Sequence, residues 1–135
     1  MTFLDTNVLV YSVDARDAAK QKIAKSLVMA ARDSSDFIIS AQVLNEFSNV
    51  ALKKLCKTRT EVMAFVELFK AIKSVPVKTE WCMQALEIMG RYDLQFYDAL
   101  LLAAANELGC DRFLTEDLND GQLYCGVLAE NPFKR

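Results

Sequence analysis

The sequence contains no histidine, and this absence excludes several familiar kinds of active site. Ser-His-Asp catalysis, Cys-His catalysis and a zinc site with two histidines on one helix all require imidazole. Imidazole is also the usual acid or base whose pKa lies near neutrality. Any catalysis must therefore depend on carboxylates, lysines, tyrosines, hydroxyl groups or a bound ion.

Glycine and proline are scarce, with four and two residues in a chain of 135. The glycines are scattered and never form a Gly-rich phosphate-binding loop, which argues against a flavin or dinucleotide binder. A composition that is 53% hydrophobic and 25% charged is typical of an ordered, helix-rich globular protein. Because the length suits one hydrophobic core, we predict a single domain spanning residues 1–135.

The sequence also lacks paired cysteines and long apolar runs. The cysteines form no CxxC pair, which argues against a structural zinc site or a redox dithiol. We expect buried or half-buried thiols in a reducing cytosol at Cys56, Cys82, Cys110 and Cys125. The longest apolar run, residues 99–105, is far shorter than the ~20 residues that span a bilayer. These features predict a cytoplasmic protein that has no membrane partner.

The charge is nearly balanced, with 16 Lys and Arg against 18 Asp and Glu. A net charge of −2 exerts no global attraction on nucleic acid, so any such binding would depend on local basic patches. Two clusters are present, Arg16, Lys20, Lys22 and Lys25 in one and Lys53, Lys54, Lys57 and Arg59 in the other. From charge alone, a solvated helix face is favoured over a nucleic-acid contact for both clusters.

Short apolar runs alternate with helical patterns along the chain. The runs predict strands at residues 2–4, 36–40, 75–77, 112–115 and 126–129. Apolar residues at three- and four-residue spacing predict helices near residues 15–32, 41–56, 62–72, 80–90 and 97–108, with a helical turn at 8–10. This alternation predicts an α/β fold whose central, mostly parallel sheet of about five short strands has helices on both faces.

Four acidic residues lie close to predicted strand ends, where open parallel sheets bind ligands. Asp5 follows the first strand, Asp117 closes the fourth, and Glu46 lies early in the helix after the second. Asp98 opens a helix whose next seven residues are apolar on every face, so this helix should be buried. Because an unpaired buried charge is very costly, Asp98 needs a specific partner.

Each acid also has an ordinary structural explanation. Asp98 could cap its helix, and Asp5 could bond to nearby backbone in a turn. Glu46 could be solvated on an amphipathic helix, and Asp117 could be a loop residue. Their convergence at one end of a parallel sheet would instead crowd several carboxylates together. Mg²⁺ or Mn²⁺, which prefers oxygen ligands, would relieve the repulsion and support phosphodiester hydrolysis without histidine.

Four segments resemble the PIN-domain ribonucleases, and more narrowly the VapC-type toxins of toxin–antitoxin pairs. They are FLDTNVLVYSVD at residues 3–14, ISAQVLNEFSNV at 39–50, LQFYDALLLAAA at 94–105 and FLTEDLNDGQ at 113–122. The closing Asn131-Pro132-Phe133 is similar to the C-terminal end of the family. The resemblance covers nearly the whole chain and implies a PIN-like domain.

The resemblance implies a role for each matching polar residue. Asp5, Glu46 and Asp98 would be central acidic ligands and Asp117 the fourth acid, all four being catalytic. Asn7, Thr6 and Thr115 would support them, with Asn7 as a hydrogen-bonding partner. Glu116 and Asp120 could contact water on the metal, although an ordinary loop role is favoured for both. Lys53, Lys54, Lys57 and Arg59 would be candidates for following an RNA backbone.

The implied activity is Mg²⁺- or Mn²⁺-dependent cleavage of RNA by the toxin of a type II toxin–antitoxin system. The implied partners are RNA, a cognate antitoxin and a second copy of the chain in a homodimer. Phe65, Val66, Phe69 and Trp81 are candidate interface residues, but a core position is favoured for most of them. Two alternatives stay open: a non-catalytic PIN-like module that binds RNA or protein, and a housekeeping RNA-processing nuclease without an antitoxin.

A haloacid-dehalogenase-type phosphatase would also place an aspartate after its first strand and use Mg²⁺. That signature requires a second aspartate two residues later, where this sequence has Asn7. No lysine motif fits the remainder of the chain either. The sequence therefore argues against a phosphatase of this type.

Overall fold

The structure is a computed structural model that describes residues 1–134. Six strands and six helices lie within these residues. The strands are β1 (Thr2–Leu4), β2 (Phe37–Ser40), β3 (Ser74–Val75), β4 (Arg112–Leu114), β5 (Leu123–Tyr124) and β6 (Val127–Glu130). The helices are α1 (Thr6–Val13), α2 (Ala18–Asp33), α3 (Ala41–Lys53), α4 (Arg59–Phe69), α5 (Glu80–Tyr92) and α6 (Phe96–Glu107).

The strands form one mostly parallel sheet in the order β3-β2-β1-β4-β6-β5. β2 and β3 extend the sheet in one direction from β1, and β4, β6 and β5 extend it in the other. Only β5 and β6 pair antiparallel. The chain therefore reverses its direction of winding between β1 and β4, whose registers match Leu4 to Leu114. This switch point is where open α/β sheets bind their ligands.

The core lies on both faces of the central strand. All three residues of β1 are buried, although successive side chains of a strand point to opposite faces. The middle of helix α6 is buried on every face, since each residue from Ala99 to Ala105 is at most 9% exposed. The all-round apolar pattern therefore predicted the position of α6 correctly. Burial of this helix holds its polar first turn next to the sheet.

Several local predictions need correction. Helix α5 continues past Gly90 to Tyr92, because an exposed glycine inside a helix costs only about 1 kcal/mol. It ends at Asp93, which adopts the left-handed conformation with φ 55°. The short strand β5 was not predicted, since two residues show no measurable periodicity. The predicted strand at residues 75–77 is shorter and shifted, as β3 comprises only Ser74–Val75.

The cysteines and the candidate interface residues also differ in burial. Cys110 is buried and Cys125 is partly buried, but Cys56 and Cys82 are exposed, contrary to expectation. All four thiols are free. Phe69 and Trp81 are core residues, only 2% and 1% exposed. Phe65 and Val66 pack against this core and are partly buried. None of the helices within residues 1–134 has the length and apolarity that a membrane crossing requires.

Candidate functional site

Two of the four predicted acids follow neighbouring parallel strands. Asp5 comes directly after β1 and caps α1, and its carboxylate accepts a hydrogen bond from Thr6 N at 2.6 Å. The backbone N–H of Asp5 donates to Leu114 O at 3.0 Å, which ties the ends of β1 and β4 together. Asp117 lies three residues beyond β4. The parallel pairing thus brings Asp5 and Asp117 to the same edge of the sheet.

A small network holds these two carboxylates in place. Thr115 Oγ1 donates to Asp5 Oδ2 at 2.6 Å and accepts from Asp117 N at 3.0 Å. The Asn7 amide nitrogen lies 3.3 Å from Asp5 Oδ2, 3.3 Å from Thr115 Oγ1 and 3.1 Å from Asp117 Oδ2. The three residues predicted to support the acids, Thr6, Asn7 and Thr115, therefore all lie within or beside this network.

Asp98 is the third acid that reaches this place. It lies in the first turn of α6 and is half-buried. The helix begins after Gln95, and no donor in residues 1–134 bonds to the Asp98 carboxylate, so the capping explanation does not describe it. Asp5, Asp98 and Asp117 each offer a carboxylate oxygen, and these three oxygens lie within 4.8 Å of one another. We call these three residues the aspartate triad.

Glu46 lies beside the triad but not within it. It occupies the second turn of α3, and its Oε1 accepts a hydrogen bond from Gln42 Nε2 at 2.7 Å. Its carboxylate is not part of the group of oxygens within 4.8 Å of one another. Glu46 nevertheless lines the same crevice as Asp5, Asp98 and Asp117. The sequence predicted all four acids, but it did not distinguish Glu46 from the other three.

Burial and crowding change the proton affinities of Asp5, Asp98 and Glu46. Burial, opposed by the Thr115 hydrogen bond and assisted by the charges of Asp117 and Asp98, raises the pKa of Asp5 to about 7 from its ordinary 3.8. Burial and the negative charge of Asp117 also raise the pKa of Asp98 and that of Glu46. No lysine or arginine within residues 1–134 forms a salt bridge with any of the four. Their negative charge is therefore left without a protein cation.

The donors in this crevice fit a hard divalent cation. The crevice has a volume of about 350 Å³, and the triad contributes only oxygen ligands, which Mg²⁺ and Mn²⁺ prefer. Two further oxygens of the residues lining it, Thr6 Oγ1 and Asn7 Oδ1, are buried and have no hydrogen-bond partner among residues 1–134. A cation with its hydration shell would offset the carboxylate charge and supply donors to such oxygens.

The two less certain acids have protein partners. Glu116 lines the crevice, but its carboxylate accepts from Tyr11 Oη at 2.6 Å and from Lys20 Nζ at 2.9 Å. Asp120 does not line the crevice, and its Oδ1 accepts from Asn131 N at 2.8 Å. The favoured loop role describes Asp120 well. Glu116 instead joins a charged network beside the triad.

Only some of the predicted basic residues lie at the crevice or at the pocket beside it. Lys54 lines the crevice, and Lys57 lines a small neighbouring pocket together with Lys54 and Arg16. Lys53 and Arg59 line neither. Arg16, which belongs to the other basic cluster, was not predicted at this site. Its guanidinium is held by Asp14 through hydrogen bonds of 2.9 and 2.8 Å.

Sequence reasoning also missed Tyr11, Lys20 and Gln42. Gln42 precedes Glu46 by four residues, so helical spacing alone could have identified it as a neighbour. Tyr11 and Lys20 meet Glu116 from about 100 positions away in the chain. No local pattern marks such a contact, because it depends on how α1 and α2 pack beside β4.

Three solved structures with the same fold are a toxin and two toxin–antitoxin complexes. Mycobacterium tuberculosis VapC20, described as a sarcin–ricin loop cleaving toxin, is 21% identical with a TM-score of 0.69, over 84% of this chain and 87% of that one. A toxin–antitoxin complex from Klebsiella pneumoniae is 21% identical with a TM-score of 0.70, over 98% of each chain. DNA-bound VapBC from Salmonella typhimurium is 19% identical with a TM-score of 0.69, over 97% of each chain. At these identities the similarity establishes the fold alone.

The sequence itself provides the family assignment. No curated protein sequence matches the chain. The family model described as the PIN domain matches residues 2–119, which include β1, the aspartate triad and Glu46. Because this match extends over most of the chain and agrees with the solved folds, the protein belongs to the PIN domain family.

Proposed function

We propose that this protein is a metal-dependent endoribonuclease and the toxin of a type II toxin–antitoxin pair. The observation that carries the proposal is the aspartate triad, whose three carboxylate oxygens lie within 4.8 Å of one another at the switch point of a PIN fold. The similarity to VapC20, a toxin described as cleaving the sarcin–ricin loop, supports RNA as the substrate. A site with only oxygen donors also agrees with the absence of histidine.

Asp5, Asp98 and Asp117 would hold the ion, which we propose to be Mg²⁺ or Mn²⁺. When bound, such an ion supplies Lewis-acid chemistry, activating water and offsetting charge on the phosphodiester. Asp5 is fixed for this task by Thr6 N and Thr115 Oγ1, each at 2.6 Å from its carboxylate. Asn7 bridges Asp5 and Asp117 through its amide nitrogen, so it keeps two of the three ligands at a set separation.

Glu46 would have a different task from the triad. Its Oε1 is engaged by Gln42, which orients the carboxylate and leaves Oε2 to accept a proton from the attacking water. A general base must lie within hydrogen-bond reach of the proton that it removes, and Glu46 lines the crevice in which that water would bind. We therefore assign Glu46 as the proton acceptor.

The basic residues at one side of the crevice would contact phosphates. Arg16 and Lys54 line both the crevice and the pocket next to it, while Lys57 lines that pocket alone. Contacts between such cations and a nucleic-acid backbone supply affinity without sequence preference. Lys53 and Arg59, which line neither space, would contact phosphates farther from the crevice.

The proposed biological setting follows from the solved relatives. The Klebsiella and Salmonella structures are toxin–antitoxin complexes, so we propose a small antitoxin protein as the partner of this chain. We also propose a homodimer that acts on RNA in the cytoplasm. Expression of the chain in a bacterial host should arrest growth, and coexpression of the gene product encoded beside it should restore growth.

The proposed nuclease activity can be tested with purified protein and total bacterial RNA. Wild type with Mg²⁺ or Mn²⁺ should produce discrete cleavage ends, which sequencing would locate, and a chelator should abolish them. Asp5→Asn and Asp98→Asn should be inactive. Asp33→Asn removes an exposed carboxylate at the end of α2 and should cleave like wild type.

The outcomes separate the three functions considered. If the wild type never cleaves RNA, both nuclease functions are excluded and a non-catalytic binding module is favoured. Cleavage that persists in both variants and in chelator would exclude the triad as the active site. Cleavage without growth arrest, and without an antitoxin gene next to this one, would favour a housekeeping nuclease.

A further inference from the structure

A second groove adjoins the acidic crevice, and we propose that it binds a nucleobase of the RNA next to the cleaved bond. This inference rests on the proposed function. The groove, which we call the amide groove, has a volume of about 470 Å³. It is lined by Gln42, Asn45, Asn49, Val77, Tyr97 and Leu100, together with Glu46. Glu46 also lines the crevice, so the two spaces meet at this residue.

Three amides lie on one face of α3. Gln42, Asn45, Glu46 and Asn49 follow the i, i+3, i+4, i+7 spacing that places helical residues side by side. Gln42 is buried, and its amide nitrogen donates both to Glu46 and to the backbone oxygen of Tyr97 at 3.3 Å. Asn45 and Asn49 are exposed, and neither side chain has a hydrogen-bond partner among residues 1–134. Their amides are therefore free to donate to and accept from a ligand.

Tyr97 forms the opposite side of this groove on α6. It is 63% exposed although it is a large aromatic residue, and it directly precedes the triad residue Asp98. Its ring packs edge-to-face against Phe96, with centroids 5.3 Å apart and an interplanar angle of 77°. This contact supports the ring while most of its surface stays open. An exposed aromatic ring of this kind is a platform on which an unpaired base can stack.

The chemistry of the amide groove favours a base over a phosphate. Its lining residues include three amides and one carboxylate but no lysine or arginine. Asparagine and glutamine amides match the paired donors and acceptors of a base edge, and single-stranded RNA presents such edges to proteins. The cations Arg16, Lys54 and Lys57 belong instead to the crevice and its neighbouring pocket. Phosphate contacts and base contacts would thus lie on different sides of the aspartate triad.

The test compares Tyr97→Ala, Tyr97→Phe and the double variant Asn45→Ala/Asn49→Ala on a randomised pool of single-stranded RNA. Tyr97→Ala should raise KM about 10-fold because one stacked base is lost, and Tyr97→Phe should stay within about twofold of wild type. The double variant should weaken the base preference next to the cleavage site, as read by sequencing the products. Gln84→Ala removes a partly exposed amide of α5 and serves as the matched control.

A second measurement does not depend on cleavage. Fluorescence anisotropy with the same RNA pool in chelator should show weaker binding by Tyr97→Ala than by wild type, Tyr97→Phe or Gln84→Ala. Circular dichroism would confirm that each variant is folded. If wild type cleaves RNA while Tyr97→Ala matches it in KM, base preference and anisotropy, the nucleobase site is wrong and the nuclease stands.

Two other outcomes are also decisive. If wild type does not cleave RNA, the proposed function fails, whereas the anisotropy comparison still shows whether the amide groove binds RNA. If Tyr97→Ala changes only the oligomeric state, as measured by light scattering, the groove is a protein interface and the nucleobase proposal is overturned.

Discussion

Two carboxylates that are adjacent in the chain have opposite surroundings. Glu116 accepts hydrogen bonds from Tyr11 and from Lys20, whose ammonium lies 2.9 Å away and also 4.7 Å from the centre of the Tyr11 ring. Asp117, the next residue, faces Asp5 and Asp98, and within residues 1–134 its one side-chain donor is the Asn7 amide. One acid is paired with a cation, and its neighbour is placed among other acids.

Glu116 and Asp117 also differ in their effect on the stability of the fold. The Lys20–Glu116 pair is a partly exposed ion pair that fastens the segment after β4 to α1 and α2. The triad instead buries several acids together, and this burial, assisted by the charges of the neighbouring acids, raises the pKa of Asp5 and of Asp98 and costs stability. Perturbed carboxylates in a crevice are typical of functional sites, where a bound cation recovers the cost. Arg16 and Lys54 line the same crevice, but no lysine or arginine among residues 1–134 forms a salt bridge with the triad.

The largest expected effect is on the rate of RNA cleavage, which should fall much further when a triad residue is replaced than when Glu116 is replaced. Asp98→Asn should lower RNA cleavage by at least about 100-fold, because one of the three proposed metal ligands becomes a neutral amide. Glu116→Gln should lower it by less than about 10-fold, since Glu116 acts only through the position of the loop. Both rates would be measured with the same RNA in Mg²⁺. Equal losses in the two variants would contradict the distinction.

Replacing a triad acid should lower activity but, at high pH, raise the stability of the metal-free protein. Asp5→Asn removes a buried charge from the triad but also one carboxylate acceptor, so its free energy of unfolding in chelator, relative to wild type, should rise by roughly 2–4 kcal/mol between pH 4 and pH values above 7. Folding raises the pKa of Asp5 from 3.8 to about 7, so the folded state binds this proton more tightly. The proton's contribution to stability is present below pH 4 and is lost as the pH rises towards 7.

The gain from Asp5→Asn should therefore be small near pH 4 and largest above pH 7. Urea unfolding of both proteins in chelator across this range would measure it. Saturating Mn²⁺ should reverse the order, since only wild type keeps all its ligands. A gain that does not change with pH would indicate that Asp5 carries no charge cost in the folded protein.

A smaller effect is expected at the hydrogen bond that supports the triad. Thr115→Val keeps the shape of the buried side chain but removes the donor to Asp5 and the acceptor for Asp117 N. It should lower the free energy of unfolding by about 1–3 kcal/mol and weaken Mn²⁺ binding, as measured by calorimetry. Thr115→Ser retains the hydroxyl and is the matched control for metal affinity. Equal Mn²⁺ affinity in the two variants would contradict the supporting role.

The smallest effect on stability should come from the Lys20–Glu116 ion pair. Lys20→Met removes the ammonium beside Glu116 while keeping the aliphatic length of the side chain. Because the pair is partly exposed, unfolding should become easier by only about 0.5–1.5 kcal/mol. Lys22→Met, at an exposed position on the same helix, should change stability by less than about 0.5 kcal/mol. If Lys20→Met lowered the free energy of unfolding as much as Thr115→Val does, the Lys20–Glu116 pair would have to be as buried as the triad, which would contradict the comparison.

Much of the fold followed from patterns that are local in the chain. The apolar run after Asp98 predicted a buried helix, and the short runs before Asp5 and after Cys110 predicted the paired strands β1 and β4. Each of these signals depends on side chains within one turn or one strand. Periodicity of this kind survives in the folded state because it decides which face is removed from water.

Other features had no local signal. The two-residue strand β5 is too short to show periodicity, and it forms because the turn after it, at Cys125 and Gly126, brings Leu123 and Tyr124 against β6. The exposure of Cys56 and Cys82 depends on where α3 ends and which face of α5 packs inward. Composition predicts average burial, so it could not identify these two thiols as exceptions.

By itself, the sequence determined which chemistry was available. Without histidine, and with acids placed after apolar strands, it allowed an all-oxygen site formed by Asp5, Glu46, Asp98 and Asp117. Only the tertiary structure decided that Asp5, Asp98 and Asp117 meet within 4.8 Å while Glu46 lies beside them and Glu116 is paired with Lys20. The reason is that separations between carboxylates depend on the register of β1 with β4 and on the packing of α3 and α6. These are contacts between distant parts of the chain, and no neighbouring residue encodes them.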